Sequence, residues 1–229
     1  MRGLARVAAV AAEDRAEGTR RLVLDAAAEV FIESGYGNVA MSAVVERAGV
    51  SRGACYHHFP TKESLAAALI EYASTELEQK GSDAQSESAS ALENLIRSSF
   101  AQQNLVRRDL KVGIGAALAQ AFGQITSVSE AGIPEWTAAY PRAIKQAIAE
   151  GDIDGDVDAE ELGYVLWCAI FANNLLAESA GLSHTAGMAV IWKSNLRGIV
   201  PAESATYFKQ LVQRVAAQYA PTQPPTDPA

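Results

Sequence analysis

Cysteine is nearly missing from this chain: Cys55 and Cys168 are the only two in 229 residues. So few, set so far apart, support neither a disulfide framework nor a CxxC metal site, and a reducing cytoplasm is the expected compartment. Long apolar runs are missing too. The longest, Tyr164 to Ala172, has nine residues, against the roughly 20 that a membrane helix needs. Near the start, Val7 to Ala12 is only six residues long before Glu13-Asp14-Arg15. That is short of a secretory core of about 7–15, so residues 1–16 read as a flexible arm. Alternating apolar patterns and clusters of β-branched residues are absent, which leaves strands little to grow from. Glycine-rich phosphate loops and a GxSxG elbow are absent as well. No catalytic set emerges and no cofactor is called for. His57 and His58 are adjacent and His184 is far away, so zinc spacing is lacking.

What is present is a core. Hydrophobic residues make up 49% and charged residues 20%, the balance of a globular domain. The net charge of −8 argues against a general polyanion binder. Yet the charge is uneven. Residues 1–62 hold eight Lys/Arg against seven Asp/Glu, and the rest hold eleven against twenty. A nucleic-acid surface at the N-terminal end therefore stays open.

The apolar spacing is helical almost throughout. A first helix is predicted over about 19–34, with Val23, Ala26, Ala27, Val30 and Phe31 on one face and Gly35 as its stop. A short helix over about 41–48 buries Met41, Val44, Val45 and Ala48. Gly49-Val50 turns, Ser51 caps a third helix reaching Phe59, and Pro60 breaks it. Thr61 caps a fourth helix to about 79, followed by a polar connector over 80–88. Further helices are predicted at about 89–107, 109–125, 134–150, 158–180, 184–199 and 202–219. The Pro-rich tail at 221–229 reads as disordered.

Asp152 to Asp158 looks at first like a calcium loop. Counted from Asp152, the positions that need Gly and Glu hold Val157 and Gly163. An N-cap by Asp158, with Glu160 and Glu161 favourable to the helix dipole, is the better reading. Trp167 and Trp192 read as core. Trp136 follows a Gly-Ile-Pro break and could stand at a cavity mouth. The helix at 109–125 is rich in Gly and Ala, which permits either close helix packing or room for a ligand.

Two short helices joined by a glycine turn after a longer helix have helix-turn-helix geometry. The outward residues of the second short helix are Ser51, Arg52, Gly53, Tyr56, His57 and His58. Arg52 suits the edge of a guanine. Tyr56, His58 and Lys62 suit phosphates, and Gly53 permits close approach of a backbone. The plain alternative is an ordinary three-helix subdomain.

Gly35-Tyr36, Ala48 through Phe59, and Lys62-Glu63-Ser64-Leu65 resemble the TetR family of one-component repressors over about residues 17–70, without a gap. Farther on, Glu135-Trp136, Gly151 through Asp158, and Ile191-Trp192 with Leu196 through Pro201 resemble the γ-butyrolactone receptors of actinomycetes within that family. Two positions depart from the pattern. Ala40 stands where Thr or Ser is usual, and His57 where Phe or Tyr is common.

The resemblance implies an all-α fold with a DNA-binding domain at 1–62 and a helical ligand-binding and dimerisation domain at 63–220. It implies a homodimer on a palindromic duplex, with the two recognition helices roughly 34–36 Å apart. It also implies release by a small, mostly apolar effector that touches Trp136. The helices at 158–180 and 184–199 carry the expected dimer surface (Leu162, Val165, Leu166, Ile170, Leu175, Leu176, Val190, Ile191), and the fourth helix is the expected lever. A regulator of efflux or catabolism with an unrelated ligand, an orphan receptor, a helical enzyme and an architectural DNA-binding protein are the competing readings.

Overall fold

Alanine-rich segments without internal proline favour helix from almost the first residue. The computed structural model describes residues 2–122 and 133–220, with side chains from 15 to 121 and from 138 to 220. Among these are α1 (Arg2–Ser34), α2 (Met41–Ala48), α3 (Arg52–His58), α4 (Lys62–Asp83), α5 (Ala91–Arg108), α6 (Leu110–Phe122), α7 (Ile133–Glu150), α8 (Ala159–Leu176), α9 (His184–Ile199) and α10 (Ala205–Gln218). No strand occurs among the described residues. The fold is all-α, as the spacing predicts.

Three boundaries differ from expectation. The predicted arm at 1–16 is helical: α1 starts at Arg2, because its many alanines carry the helix through Gly3 and Gly18. α4 runs on to Asp83, which shortens the connector. α8 stops at Leu176, and a 3-10 turn at Glu178–Ala180 leads to Gly181 with φ of +72°. The tail at 221–229 lies outside the described residues.

The chain forms two compact units. One holds Met1–Glu76 with Arg108–Ser129, and the other holds Leu77–Arg107 with Glu130–Ala229. The packing boundary therefore falls inside α4, not at 62, and the first unit also claims α6. The reason is steric. A Cβ built on Gly115 would lie 2.1 Å from the Leu69 carbonyl oxygen and 2.6 Å from Ala73 Cβ, so α6 rests its bare backbone on α4. Val112 and Leu118 are buried on either side. For Gly115, close packing is the answer to the question its small neighbours posed.

Val23, Ala26, Ala27, Val30 and Phe31 of α1 are all buried, with Val44, Cys55, Phe59, Leu65 and Leu69 packed in the same core. This core holds up the helix pair described below.

The second unit centres on Trp192, Phe100, Phe208, Leu166 and Met188. Trp192 is fully buried, as predicted, and its Nε1–H donates to Ser99 Oγ at 2.8 Å. Asn173 Nδ2 donates to Gln103 Oε1 and to the His184 carbonyl, so this buried amide is satisfied by partners from two other segments. The Asp158 cap forms: its Oδ1 accepts from the Glu160 and Glu161 amides at 2.8 and 3.0 Å. α7 contains Pro141, whose ring would be 2.8 Å from a Cβ on Gly163 of α8.

Candidate nucleic-acid interface

The helix pair is set by short-range devices. Ala40 precedes α2 in the cap position and makes no side-chain cap bond, so the departure at this position leaves that end of the helix without one. It ends at Gly49 with φ +64° and ψ +24°, a left-handed conformation that glycine adopts without strain. Ser51 then caps α3, its Oγ accepting from the Ala54 amide at 3.1 Å. Thr61 and Ser64 cap α4 reciprocally, each hydroxyl accepting the other's amide, at 3.1 and 3.2 Å.

On α3, Cys55 and Phe59 point into the core one turn apart, and burial pushes the Cys55 thiol pKa up. Ser51, Arg52, Gly53 and His57 are exposed, while Tyr56 and His58 are half-buried at the edges. The Arg52 guanidinium lies 5.4 Å from the Tyr56 ring centroid, a cation–π contact along one helix edge. His57 and His58 meet edge to face at 5.3 Å. The sequence-predicted residues of α3 thus share one short helix, and Arg52 has no carboxylate partner among the described residues.

Lys62 sits differently. Its Nζ donates to the carbonyls of Tyr36 and Gly37 at 3.0 and 3.3 Å and lies 4.5 Å from the Tyr36 ring. It ties the start of α4 to the turn after α1, and an ammonium with three donors keeps one to offer elsewhere. The Tyr36 hydroxyl donates to Glu63 Oε1. The Glu63 carboxyl is held low by its own amide, by Thr61 and by Tyr36. Arg47 is spent inside the unit, paired with Glu29 at 2.9 Å and Glu33 at 2.8 Å. Sequence reasoning missed Arg20, whose guanidinium stands 5.6 Å from the Phe59 ring at the end of α3.

In the second unit, a cleft of about 310 Å³ is lined by Ala138, Pro141, Glu160, Gly163, Tyr164 and Trp167. The core reading of Trp167 is therefore corrected. It is half-buried, walls this cleft, and stacks on Phe171 at 5.9 Å with 8° between the planes. Leu166, placed on the expected dimer surface, is fully buried in its own unit, and Leu162 is buried too. Tyr164, Val165, Leu175, Leu176 and Val190 are the exposed apolar residues there. Trp136 belongs to the first turn of α7, and its side chain lies outside the described residues.

A capped, glycine-turned helix pair on a three-helix core defines a helix-turn-helix domain of the regulatory kind. Residues 23–69 match the family described as "Bacterial regulatory proteins, tetR family". The chain is similar to the A-factor receptor protein of Streptomyces griseus, with 47% identity over 79 residues, 34% of this chain and 29% of that protein. The chain thus spans under a third of that curated relative's length in the match. A solved γ-butyrolactone receptor (ArpA like protein) superposes with a TM-score of 0.78 and 28% identity, over 89% of this chain and 99% of that one. CprB from Streptomyces coelicolor, solved with its biological operator sequence, gives 0.75 and 28% over the same shares. Residues 23–69 thus carry the DNA-binding domain of the tetR family, and nearly the whole chain shares the fold of the solved γ-butyrolactone receptors. Its neighbours with receptor names are γ-butyrolactone receptors.

Proposed function

We propose that the protein is a homodimeric DNA-binding repressor, released from a palindromic operator by a small, mostly apolar effector of the γ-butyrolactone class. The observation that carries the reading is the outer edge of α3. Ser51 locks the helix start, Arg52 stands exposed one turn from Tyr56, and Gly53 leaves a gap that nothing in the protein fills: a Cβ there would meet no atom within 4 Å. A helical glycine costs stability, so an unforced one on an exposed edge makes sense where an outside backbone comes close.

Arg52 reads a base edge. Tyr56, His57 and His58 flank it, and Lys62 uses its remaining donor on a phosphate. The relatives support this division, since one was solved on its operator and another is an A-factor receptor. Tyr164, Val165, Leu175, Leu176 and Val190 meet a second copy, as apolar side chains too exposed for a stable monomer surface. Trp136 contacts the effector with a broad apolar face and one N–H donor. The domain division at 62 is then functional, with α4 carrying motion from the effector to α3. No helix of the described residues is long and apolar enough to cross a membrane.

The test is selection of bound duplexes from a random pool by the full-length protein, followed by titration of γ-decalactone and related alkyl butyrolactones. A palindromic consensus whose affinity drops with a lactone supports the reading. Retained DNA of no common sequence sinks it in favour of an architectural protein.

A further inference from the structure

We propose that the first turn of α6 is a charged latch, closed by Lys111 and Asp25, that passes changes at the end of α5 to the DNA-reading helices. The proposal rests on the effector-released repressor reading and names the residues of its control. Lys111 Nζ lies 2.7 Å from Asp25 Oδ1 on α1 and 4.5 Å from the centroid of the Tyr72 ring on α4. The Tyr72 hydroxyl donates to Asp109 Oδ2 at 3.2 Å. The other oxygen, Asp109 Oδ1, accepts the amides of Lys111 and Val112 at 2.9 and 3.1 Å and so caps α6. Four side chains thus join three helices. One turn further on, the bare backbone at Gly115 lies on the Leu69 carbonyl of α4.

The basic end of this cluster is the buried one: the Lys111 side chain is only 18% exposed, against 38% for Arg47, while Asp25 at 46% is as open to solvent as Glu29 at 48%. Burial works against the Lys111 charge, but Asp25, Tyr72 and Asp109 together outweigh that and hold its pKa above the usual lysine value. The latch therefore stays charged across the neutral range.

Connectivity supplies the input. α5 ends at Arg108 and α6 starts at Leu110, so Asp109 alone separates them. A shift at the end of α5 falls on the very residue that caps α6 and binds Tyr72. The output is α1, whose Val23, Ala27, Val30 and Phe31 form the core that carries α2 and α3. An effector that favours one position of Asp109 then favours one arrangement of the helix pair, and operator binding must act back on α6 by the same factor.

That reciprocity gives a test that needs no effector. Full-length wild type, Lys111→Met and Asp25→Asn are compared by hydrogen exchange, alone and with a duplex selected from a random pool. In the wild type, duplex slows exchange of the amides at 110–118 by about fivefold or more, and in either variant by less than about twofold. The swapped pair Asp25→Lys with Lys111→Asp restores the response. Operator affinity, read by anisotropy on the same samples, stays within about threefold of wild type in the single variants. Equal protection in wild type and Lys111→Met overturns the latch, because α6 would then answer without its charge pair. If Lys111→Met fails to fold, Asp25→Asn and the swapped pair carry the same comparison. A wild type that binds duplex with no change at α6 overturns the latch and leaves the repressor standing. One that captures no duplex overturns the repressor reading, and the latch with it.

Discussion

The first unit packs small side chains around local devices, and the second packs large side chains around partners far along the chain. In the first, each device spans a few residues: Gly49 turns the chain, Ser51 caps three residues ahead, and Thr61 and Ser64 cap each other. In the second, Trp192 donates to Ser99, 93 residues away, and Tyr207 to Glu93, 114 away. Local devices confine the backbone before any core forms, so a short helix such as α3 can present side chains to a partner with little packing of its own. The second unit has local caps as well, at Asp158 and Ser183, but its centre is held by these distant partners. Its shape follows from how its aromatic residues happen to fill space, which lets a related chain alter its cavity while keeping its helices.

The sharpest break of this contrast is at Trp192. Trp192→Ala removes the centre of the second core and the N–H that Ser99 Oγ accepts, leaving that hydroxyl only its bond to the Ile96 carbonyl, so it costs about 3–5 kcal/mol. By thermal denaturation, the midpoint falls by roughly 6–20 °C. Trp167→Ala, at the half-buried cleft, costs less than about half of that. If both cost the same, the two tryptophans do not differ as described.

Next in size is the surface of α8. Leu176 is 59% exposed, so Leu176→Glu leaves the fold intact. In light scattering it halves the mass of the dimer, and operator affinity falls about 100-fold through loss of the second grip. Leu166→Glu would instead unfold the unit, since that side chain is fully buried. A dimeric Leu176→Glu protein moves the interface elsewhere.

Arg52→Ala separates reading from folding. Operator affinity drops by about 1–3 kcal/mol, with relaxed preference at one base pair. The thermal midpoint does not move, because Arg52 packs on nothing but the Tyr56 ring. Unchanged selection from a random duplex pool removes Arg52 from base reading.

Gly53→Ala is smaller and has opposite signs in its two readouts. Stability rises by about 0.5–1 kcal/mol, since the backbone is helical and the space is open. Operator affinity falls, because the new methyl stands where DNA comes close. A variant that gains on both counts shows that DNA stays clear of Gly53.

The smallest effect is in the Arg47 pairs. The hydrogen bond from Arg47 holds the Glu33 carboxyl below its usual value of 4.5. That contribution is complete above this pH in the unfolded chain's range and is lost as pH falls through the lowered folded value. Both groups are exposed, and salt screens them. The difference in thermal midpoint between wild type and Glu33→Gln therefore shrinks on acidification below about 4.5 and with added salt.

Much of the contrast is visible in the residue order itself. The apolar face of α1, the caps at Ser51 and Asp158, the turn at Gly49 and the outward edge of α3 all follow from spacings of three or four residues. These are set by the backbone period and by which side chains reach an amide. The start of α1 is not legible in the residue order, because a charged, alanine-rich opening suits a weak signal segment and a helix alike. The residue type of Lys62 points to phosphates, but not to its carbonyl partners at Tyr36 and Gly37, which lie 26 and 25 residues back.

By itself, the amino-acid sequence determined that the chain is all-helical, where most helices start and stop, and which short helix faces outward. These are local properties, fixed by rotation per residue and by capping. Only the tertiary structure decided that α6 sides with the first unit, that Trp167 lines a cleft while Leu166 is core, and that Lys111 meets Asp25. Each of those is a contact between helices, and a helix pattern states which face is apolar without stating what that face will meet.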